Sequence, residues 1–354
     1  MQSFVYNALP GRVIFGSGTI SALKAEIERA GCKRALLLST PEQAGELKKI
    51  AASIGPLAAG IFAQAAMHTP VDVTERALRA AKDCNADCTV AFGGGSSTGL
   101  GKAIALRTDL TQIAIPTTYA GSEMTPIIGE TEAGRKTTQR TLKVLPEIVI
   151  YDVDFTLTLP ARLTVTSGTN AIAHAVEALY AQDRNPVTSM MAEQAIAALG
   201  RALPAIVANP HEREARSEAL YGAWLCGVCL GSVGMALHHK LCHVVGGSFN
   251  LPHADTHTVI LPYAMAYNAK AAPEADKAVA RALGGRDGTS ALLALAKRLK
   301  SPDSLKSLGM KESDIDVAAD YAVQNPYWNP RPIEREPIRA LIADAWAGNP
   351  PRAA

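Results

Sequence analysis

The sequence predicts a chain in two parts: an α/β domain over residues 1–159 and an all-α domain over residues 160–354. Three observations carry this. In the first half, short apolar β-branched runs alternate with helix-like segments, the pattern of a parallel sheet covered by helices on both faces. After about residue 160, strand signals nearly vanish and alanine-rich segments with a 3.6-residue period take over. A length of 354 residues is also long for a single core.

Taken in order, Arg12–Gly16 reads as a strand ending in a glycine turn, and Thr19–Ala30 as an amphipathic helix. Arg34–Leu38 is the mostly apolar run of a strand buried on both faces. Helices are expected over Gln43–Ile54 and Thr74–Asn85, the second capped by Asp72 or Thr74. Cys88–Phe92, Gln112–Pro116 and Glu147–Tyr151 are the remaining strands. The boundary falls at Thr158-Leu159-Pro160, where proline stops the regular pattern. Helices follow over Gly168–Gln182, Pro186–Leu203, Arg213–Val233, Pro273–Leu283, Leu292–Leu299 and Ile315–Asn325. Pro186 and Pro273 sit where a first helical turn tolerates proline.

Composition narrows the function classes. A formal charge of +2 gives no reason to expect nucleic acid or an anionic membrane. No apolar run of about 20 residues suggests a membrane span, and the N-terminus lacks the basic and apolar regions of a secretory signal. The six cysteines are too few for a disulfide scaffold and read as reduced thiols of a cytoplasmic protein. Cys226 and Cys229 have the C-x2-C spacing of zinc and redox sites, but no second pair completes a zinc set.

The loop Gly93-Gly94-Gly95-Ser96-Ser97 follows a strand and precedes a helix expected to begin near Gly99 to Lys102. Such a loop lets backbone N–H groups approach a pyrophosphate. It is neither GxGxxG nor a P-loop, and glycine-rich turns are common. Thr117-Thr118 places hydroxyls after the next strand, and open parallel sheets bind ligands at those strand ends. Together the two loops point to a dinucleotide. Ser39-Thr40 ends the second strand, where NAD-selective enzymes often carry an acid. Nothing there repels a 2′-phosphate, so NADH is expected with NADPH also accepted.

Residues Gly234–Tyr263 hold five of the eight histidines: His238, His239, His243, His253 and His257. His239 and His243 are four apart and share a helix face. Gly246-Gly247 then turns the chain, and a loop through Leu251-Pro252 returns His253. The plainer reading is a set of satisfied structural histidines; so many in twenty residues favour a polar pocket.

In order, GGGS, IPTT…GSE, PEIVIYD, SGTNAIAHAVEALY and H-x3-H-x8-PH resemble the iron-containing alcohol dehydrogenase superfamily across nearly the whole length. The resemblance implies the fold shared with dehydroquinate synthase: an N-terminal dinucleotide-binding α/β domain, an all-α C-terminal domain and a site in the cleft between. Metal-dependent members hold one divalent ion with an Asp, a His four residues later, and two His spaced 14 apart. Those positions are Asn170, His174, His239 and His253 here. His243 matches a histidine near the nicotinamide. Gly94, Gly95 and Ser96 match the pyrophosphate loop, Thr117 and Thr118 the adenosine side, and Lys136 a lysine at the nicotinamide-side ribose. Asn170 removes the only anionic ligand, so Fe²⁺ or Zn²⁺ would be held less well. The loop YAGSEMT is shorter than is common in the metal enzymes, and Gly99 stands where they carry Asp.

These departures resemble the maleylacetate-reducing branch of aromatic ring-cleavage metabolism. That implies NAD(P)H-dependent conversion of a small dicarboxylate enone to 3-oxoadipate, with no required metal, by a homodimer formed through the N-terminal strand region. His243 is expected as the proton donor or a group coupled to it, and His174 and His253 around the developing oxyanion or a carboxylate, with His239 as a further catalytic residue. Asn170, Tyr119 and Lys240 are candidates for the substrate, although Tyr119 also suits plain packing and Lys240 a solvated surface. The turn Asn325–Pro330 could supply aromatic walls or simply pack. Two rivals remain: a metal-dependent alcohol or lactaldehyde-type dehydrogenase tolerating Asn170, and a cofactor-binding protein without turnover.

Overall fold

The computed structural model describes residues 4–9 and 11–352, the side chain of Lys136 excepted. The chain divides into two compact units, Ala8–Leu159 and Pro160–Ala354, with the described residues ahead of Ala8 grouped with the second.

The first unit runs β1 (Arg12–Gly16), α1 (Leu23–Arg29), β2 (Ala35–Leu38), α2 (Ala44–Ile54), β3 (Ala58–Phe62), α3 (Val71–Asp83), β4 (Cys88–Gly93), α4 (Gly95–Thr108), β5 (Thr111–Pro116), β6 (Ile127–Glu132), β7 (Arg135–Arg140) and β8 (Ile148–Asp152). Six strands form a parallel sheet in the order β1-β8-β5-β4-β2-β3, and β6 and β7 pair as an antiparallel hairpin. Alternate side chains of a strand point to opposite faces, and β2 shows what that does. Leu37 packs with Val90, Ile113 and Ile150 under Leu23, Ile27, Leu47 and Ile50. Leu36 and Leu38 pack on the other face under Val73, Ala77, Leu100 and Ile104.

Several expectations need correction. Thr19–Ala22 is a 3-10 turn and α1 begins only at Leu23. Neither Asp72 nor Thr74 caps α3. The helix starts at Val71 behind Pro70, and the Thr74 hydroxyl donates back to the Pro70 carbonyl at 3.3 Å. α4 begins at Gly95, so the glycine loop is its first turn rather than a lead-in to Gly99. The sequence reading missed β3, whose small residues Ala58, Ala59 and Gly60 carry little strand signal, and the largely polar hairpin.

Lys102 on α4 is 1% exposed, and its Nζ donates to Thr125 O (2.7 Å), Thr125 Oγ1 (2.9 Å) and Ile127 O (2.8 Å). Burial pushes this lysine down to about 7, opposed by the Glu123 carboxylate. Lys102→Met keeps the stem but takes the ammonium away from all three acceptors. It is expected to cost about 3 kcal/mol of unfolding free energy, read from the urea midpoint at constant pH.

The second unit is all helical in its regular structure: α5 (Ala161–Tyr180), α6 (Pro186–Ala208), α7 (Arg213–Ser232), α8 (Leu237–Ser248), α9 (His253–Asn268), α10 (Pro273–Leu283), α11 (Gly288–Leu299), α12 (Asp314–Val323) and α13 (Arg335–Ala347). Asn185 and Thr188 form a capping box at the start of α6, with Pro186 in its first turn. A Cβ at Gly168 would lie 2.6 Å from Leu203, and one at Gly222 would lie 2.8 Å from Leu199. Glycine therefore lets α5 and α7 approach α6 closely. By length and composition alone, α6 is apolar enough to cross a membrane. It packs as a core helix, burying Ala195, Ile196, Leu199 and Leu203. Two further corrections concern the histidine stretch. α8 continues through Gly246-Gly247 to Ser248, and His253 opens α9 rather than lying on a loop.

Candidate active site

Three helices of the second unit bring six histidines together. α5 places Asn170, His174 and Glu177 four and three residues apart, on one face. α8 supplies His238, His239 and His243, and α9 supplies His253 and His257 one turn apart. The His174 and His239 rings stack with centroids 5.1 Å apart at 30°. His257 lies 5.0 Å from His239 and 4.4 Å from His253, ring to ring. His243 lies 6.1 Å from His239 and 6.5 Å from His253. His174, His238, His239 and His257 are buried, whereas His243 and His253 are exposed. His243 Nδ1 is 3.0 Å from the Tyr327 hydroxyl, so the 325–330 turn does reach the cluster.

Two residues organise the cluster without having been given an individual role from sequence. Glu177, fully buried, accepts from Ala236 N (2.9 Å) and His238 N (2.7 Å), and its Oε2 lies 2.6 Å from His239 Nδ1. Its signal was available: an acid one turn beyond His174 in an otherwise apolar helix. His257 Nδ1 pairs with His238 Nε2 at 2.9 Å, and Cys242 Sγ lies 3.6 Å from the same Nε2.

Among the described residues, Asn170 Oδ1, His174 Nδ1, His239 Nε2 and His257 Nε2 are buried and lack a hydrogen-bond partner. Groups left open in this way are costly unless a ligand completes them. Burial holds His174, His238 and His257 well below the ordinary imidazole range, and neighbouring imidazoles add to the shift. Uncharged at neutral pH, each offers one N–H and one lone pair.

The donor set at the metal positions of the family would hold a divalent iron or zinc ion less well than a set that includes a carboxylate. It comprises three imidazoles and the Asn170 amide, and Glu177, the carboxylate beside it, is engaged by His239 and two backbone N–H groups. The described residues that do gather three ligating atoms within 4.8 Å of one another are His238, Cys242 and His257, and Cys32, Asp87 and Cys88. Cys226 and Cys229 are buried free thiols. Burial pushes the Cys226 thiol well up and the Cys229 thiol to about 12, which makes the C-x2-C pair inert. Lys240 donates its ammonium to the Gln324 carbonyl at 2.8 Å, so it is not directed at the open atoms.

In the α/β unit, the glycine loop and Thr117-Thr118 follow β4 and β5, which are adjacent strands. Gly94 caps α4 without a side-chain hydrogen bond, and no acid lies in the first turn. The backbone N–H groups of Gly95 and Ser96 are thus left for an anion, and a dinucleotide pyrophosphate fits. A Cβ at Gly94 would stand 3.0 Å from the Thr118 methyl. Gly93 has φ +140°, and a Cβ there would collide with Gln43 and Ser97 side chains. Thr117 N donates to Gly93 O and Gln43 Nε2 to Thr117 Oγ1, each at 3.0 Å. Ser39 is fully buried with its hydroxyl donated to Thr40 O at 2.9 Å, and Tyr119 is likewise fully buried. The Lys136 side chain lies outside the described residues.

The iron-containing alcohol dehydrogenase model matches residues 10–153, and the model for the C-terminal part of that family matches residues 164–346. The maleylacetate reductase of Rhizobium sp. (strain MTP-10005) is 56% identical, over 99% of this chain and 100% of its own. That of Burkholderia cepacia is 54% identical, over 98% and 99%. The crystal structure of maleylacetate reductase from Agrobacterium tumefaciens superposes with a TM-score of 0.97 at 55% identity, covering 99% of this chain and 100% of that one. The chain is an oxidoreductase of the iron-containing alcohol dehydrogenase family and belongs to its maleylacetate reductase branch.

Proposed function

We propose that the protein reduces the C=C bond of maleylacetate to 3-oxoadipate in aromatic-compound breakdown, using NADH and also accepting NADPH, with no required metal. The observation that carries this reading is the set of buried open atoms on Asn170, His174, His239 and His257, gathered without a free carboxylate. With no free carboxylate among them, these groups do not repel a dicarboxylate substrate. The names of the relatives at 54–56% identity support the same substrate.

The balanced reaction takes maleylacetate, NAD(P)H and one proton to 3-oxoadipate and NAD(P)⁺. Gly94, Gly95 and Ser96 hold the pyrophosphate of the dinucleotide, Thr117 and Thr118 its adenosine side, and Lys136 is assigned to its nicotinamide-side ribose. When bound, the dinucleotide supplies a hydride to the alkene carbon β to the ketone. Negative charge then develops on the ketone oxygen, where the imidazole donors of His174 and His253 stabilise it. His243 delivers a proton to the α-carbon as general acid. Asn170 offers an amide where a carboxylate would repel the dicarboxylate. A conjugated enone is more electrophilic than an isolated ketone, so hydrogen-bond donors suffice without a Lewis acid. The enzyme acts as a cytoplasmic homodimer with no nucleic-acid or membrane partner.

A metal-dependent alcohol or lactaldehyde-type dehydrogenase is the second reading, favoured by the retention of His174, His239 and His253 at the metal positions. The deciding experiment follows loss of NADH absorbance with freshly made maleylacetate, before and after exhaustive chelation. Unchanged rates are expected. Loss of rate that Fe²⁺ or Zn²⁺ restores would establish the second reading. No oxidation in either state would remove maleylacetate as the substrate.

A further inference from the structure

Tyr327 meets His243 from a segment with no regular structure: residues 325–332 form neither helix nor strand, and Asn325–Trp328 is exposed. A phenol on such a stretch keeps its place only if the flanks are fixed. Side chains of α8 and α9 fix both. Upstream, Lys240 Nζ donates to Gln324 O at 2.8 Å. Downstream, Asn329 and Asn268 exchange amide hydrogen bonds. Asn268 Nδ2 donates to Asn329 Oδ1 at 2.9 Å, and Asn329 Nδ2 donates to Asn268 Oδ1 at 2.8 Å. Asn329 Nδ2 also donates to Arg331 O at 2.7 Å. A carbonyl only accepts, so that contact fixes which end of the Asn329 amide is nitrogen, and the reciprocal pair then fixes Asn268. Asn268 is fully buried at the end of α9, where water competes poorly for its amide. Beyond the pair, the Arg331 guanidinium stacks on Tyr267, 3.9 Å from the ring centroid, and Tyr267 OH donates to Pro332 O at 2.6 Å.

We propose that Asn329 is a positioning residue: locked to Asn268, it sets the 325–328 arch so that the Tyr327 hydroxyl meets His243 Nδ1. Asn329 acts on His243 through Tyr327. A hydroxyl can donate to an imidazole nitrogen or accept from it, so the contact persists when the His243 ring gives up its proton. The kinetic consequence rests on the reductase reading, whereas the placement of Tyr327 does not.

The test uses the full-length protein with ¹⁵N-ring-labelled histidine. In Asn329→Ala the His243 ring signals of long-range ¹H–¹⁵N spectra should move to where Tyr327→Phe puts them, while circular dichroism stays native. His243 signals that keep their wild-type positions in folded Asn329→Ala would overturn the proposal, whatever the substrate. Kinetics give the second check. Asn329→Ala should lower kcat for maleylacetate about tenfold, as Tyr327→Phe does, yet change kcat less than about twofold in the Tyr327→Phe background. Two tenfold losses that multiply, or an unchanged kcat in Asn329→Ala, would each defeat it. Should Asn329→Ala fail to fold because Asn268 is left unpaired, Arg331→Leu loosens the same flank and is held to the same two criteria. No maleylacetate turnover in the wild type would sink the substrate, and the ring signals would still decide the positioning.

Discussion

Replacing His243 with alanine is expected to lower kcat for maleylacetate by 10²- to 10⁴-fold, the usual range for a positioned general acid, with dinucleotide affinity nearly unchanged. His243 is the exposed member of the α8 pair, one turn beyond the buried His239. It stands where protons are exchanged with solvent. Its Nδ1 lies 3.0 Å from the Tyr327 hydroxyl, itself 37% exposed, and its ring is nearly parallel to that of His253 at 15°. Tyr327→Phe removes the hydroxyl but leaves the imidazole, so it should cost only about tenfold. The two variants separate donation from orientation. Stopped-flow traces in H₂O and D₂O supply the check: a solvent isotope effect on the wild type that disappears in His243→Ala fits proton delivery by this ring. A His243→Ala enzyme within threefold of wild type would move the proton donor elsewhere in the cluster.

The strands of the α/β unit were legible because a parallel sheet buried on both faces needs unbroken apolar runs, and Leu36-Leu37-Leu38 feeds both cores. What escaped had no such signature. β3 is built on Ala58, Ala59 and Gly60, and the sequence of α13 begins Arg-Glu-Pro, which reads as a turn. Helix ends were misplaced where glycine or proline does something other than break structure. Gly95 opens α4 and Gly246-Gly247 sits inside the last turn of α8. Of the site, the histidines were visible by count and spacing. Their division into buried and exposed members was not, because it depends on how α5, α8 and α9 pack. Nor was the part played by Glu177, which follows from an inter-helix cap that spacing within one helix cannot show. Ser39 marks the opposite error. Its place after β2 is where an acid would read a cofactor ribose, but its hydroxyl donates to Thr40 O.

The second large effect is on stability in acid. His174, His238 and His257 are held well below their ordinary value of 6.5, chiefly by burial, with His239 and His253 among the neighbouring imidazoles that add to it. Below pH 6.5 the unfolded chain binds protons at these positions that the folded chain does not. Unfolding is thus favoured as pH falls, and stability is fully present above 6.5. One such imidazole contributes a limiting slope of about 1.4 kcal/mol per pH unit, so three give about 4 kcal/mol per unit once the pH is well below 6.5. Against a typical total of about 5–15 kcal/mol, unfolding near pH 5 is the expected result. Urea midpoints at pH 7.5 and 5.5 measure it, and a midpoint that does not move between them would mean that these rings accept protons in the folded state. His257→Asn gives the finer check. Asparagine can keep a hydrogen bond to His238 Nε2, and it removes one of the three titrating rings. The slope below pH 6.5 should then fall by about a third. An undiminished slope would place the acid sensitivity in other groups of the chain.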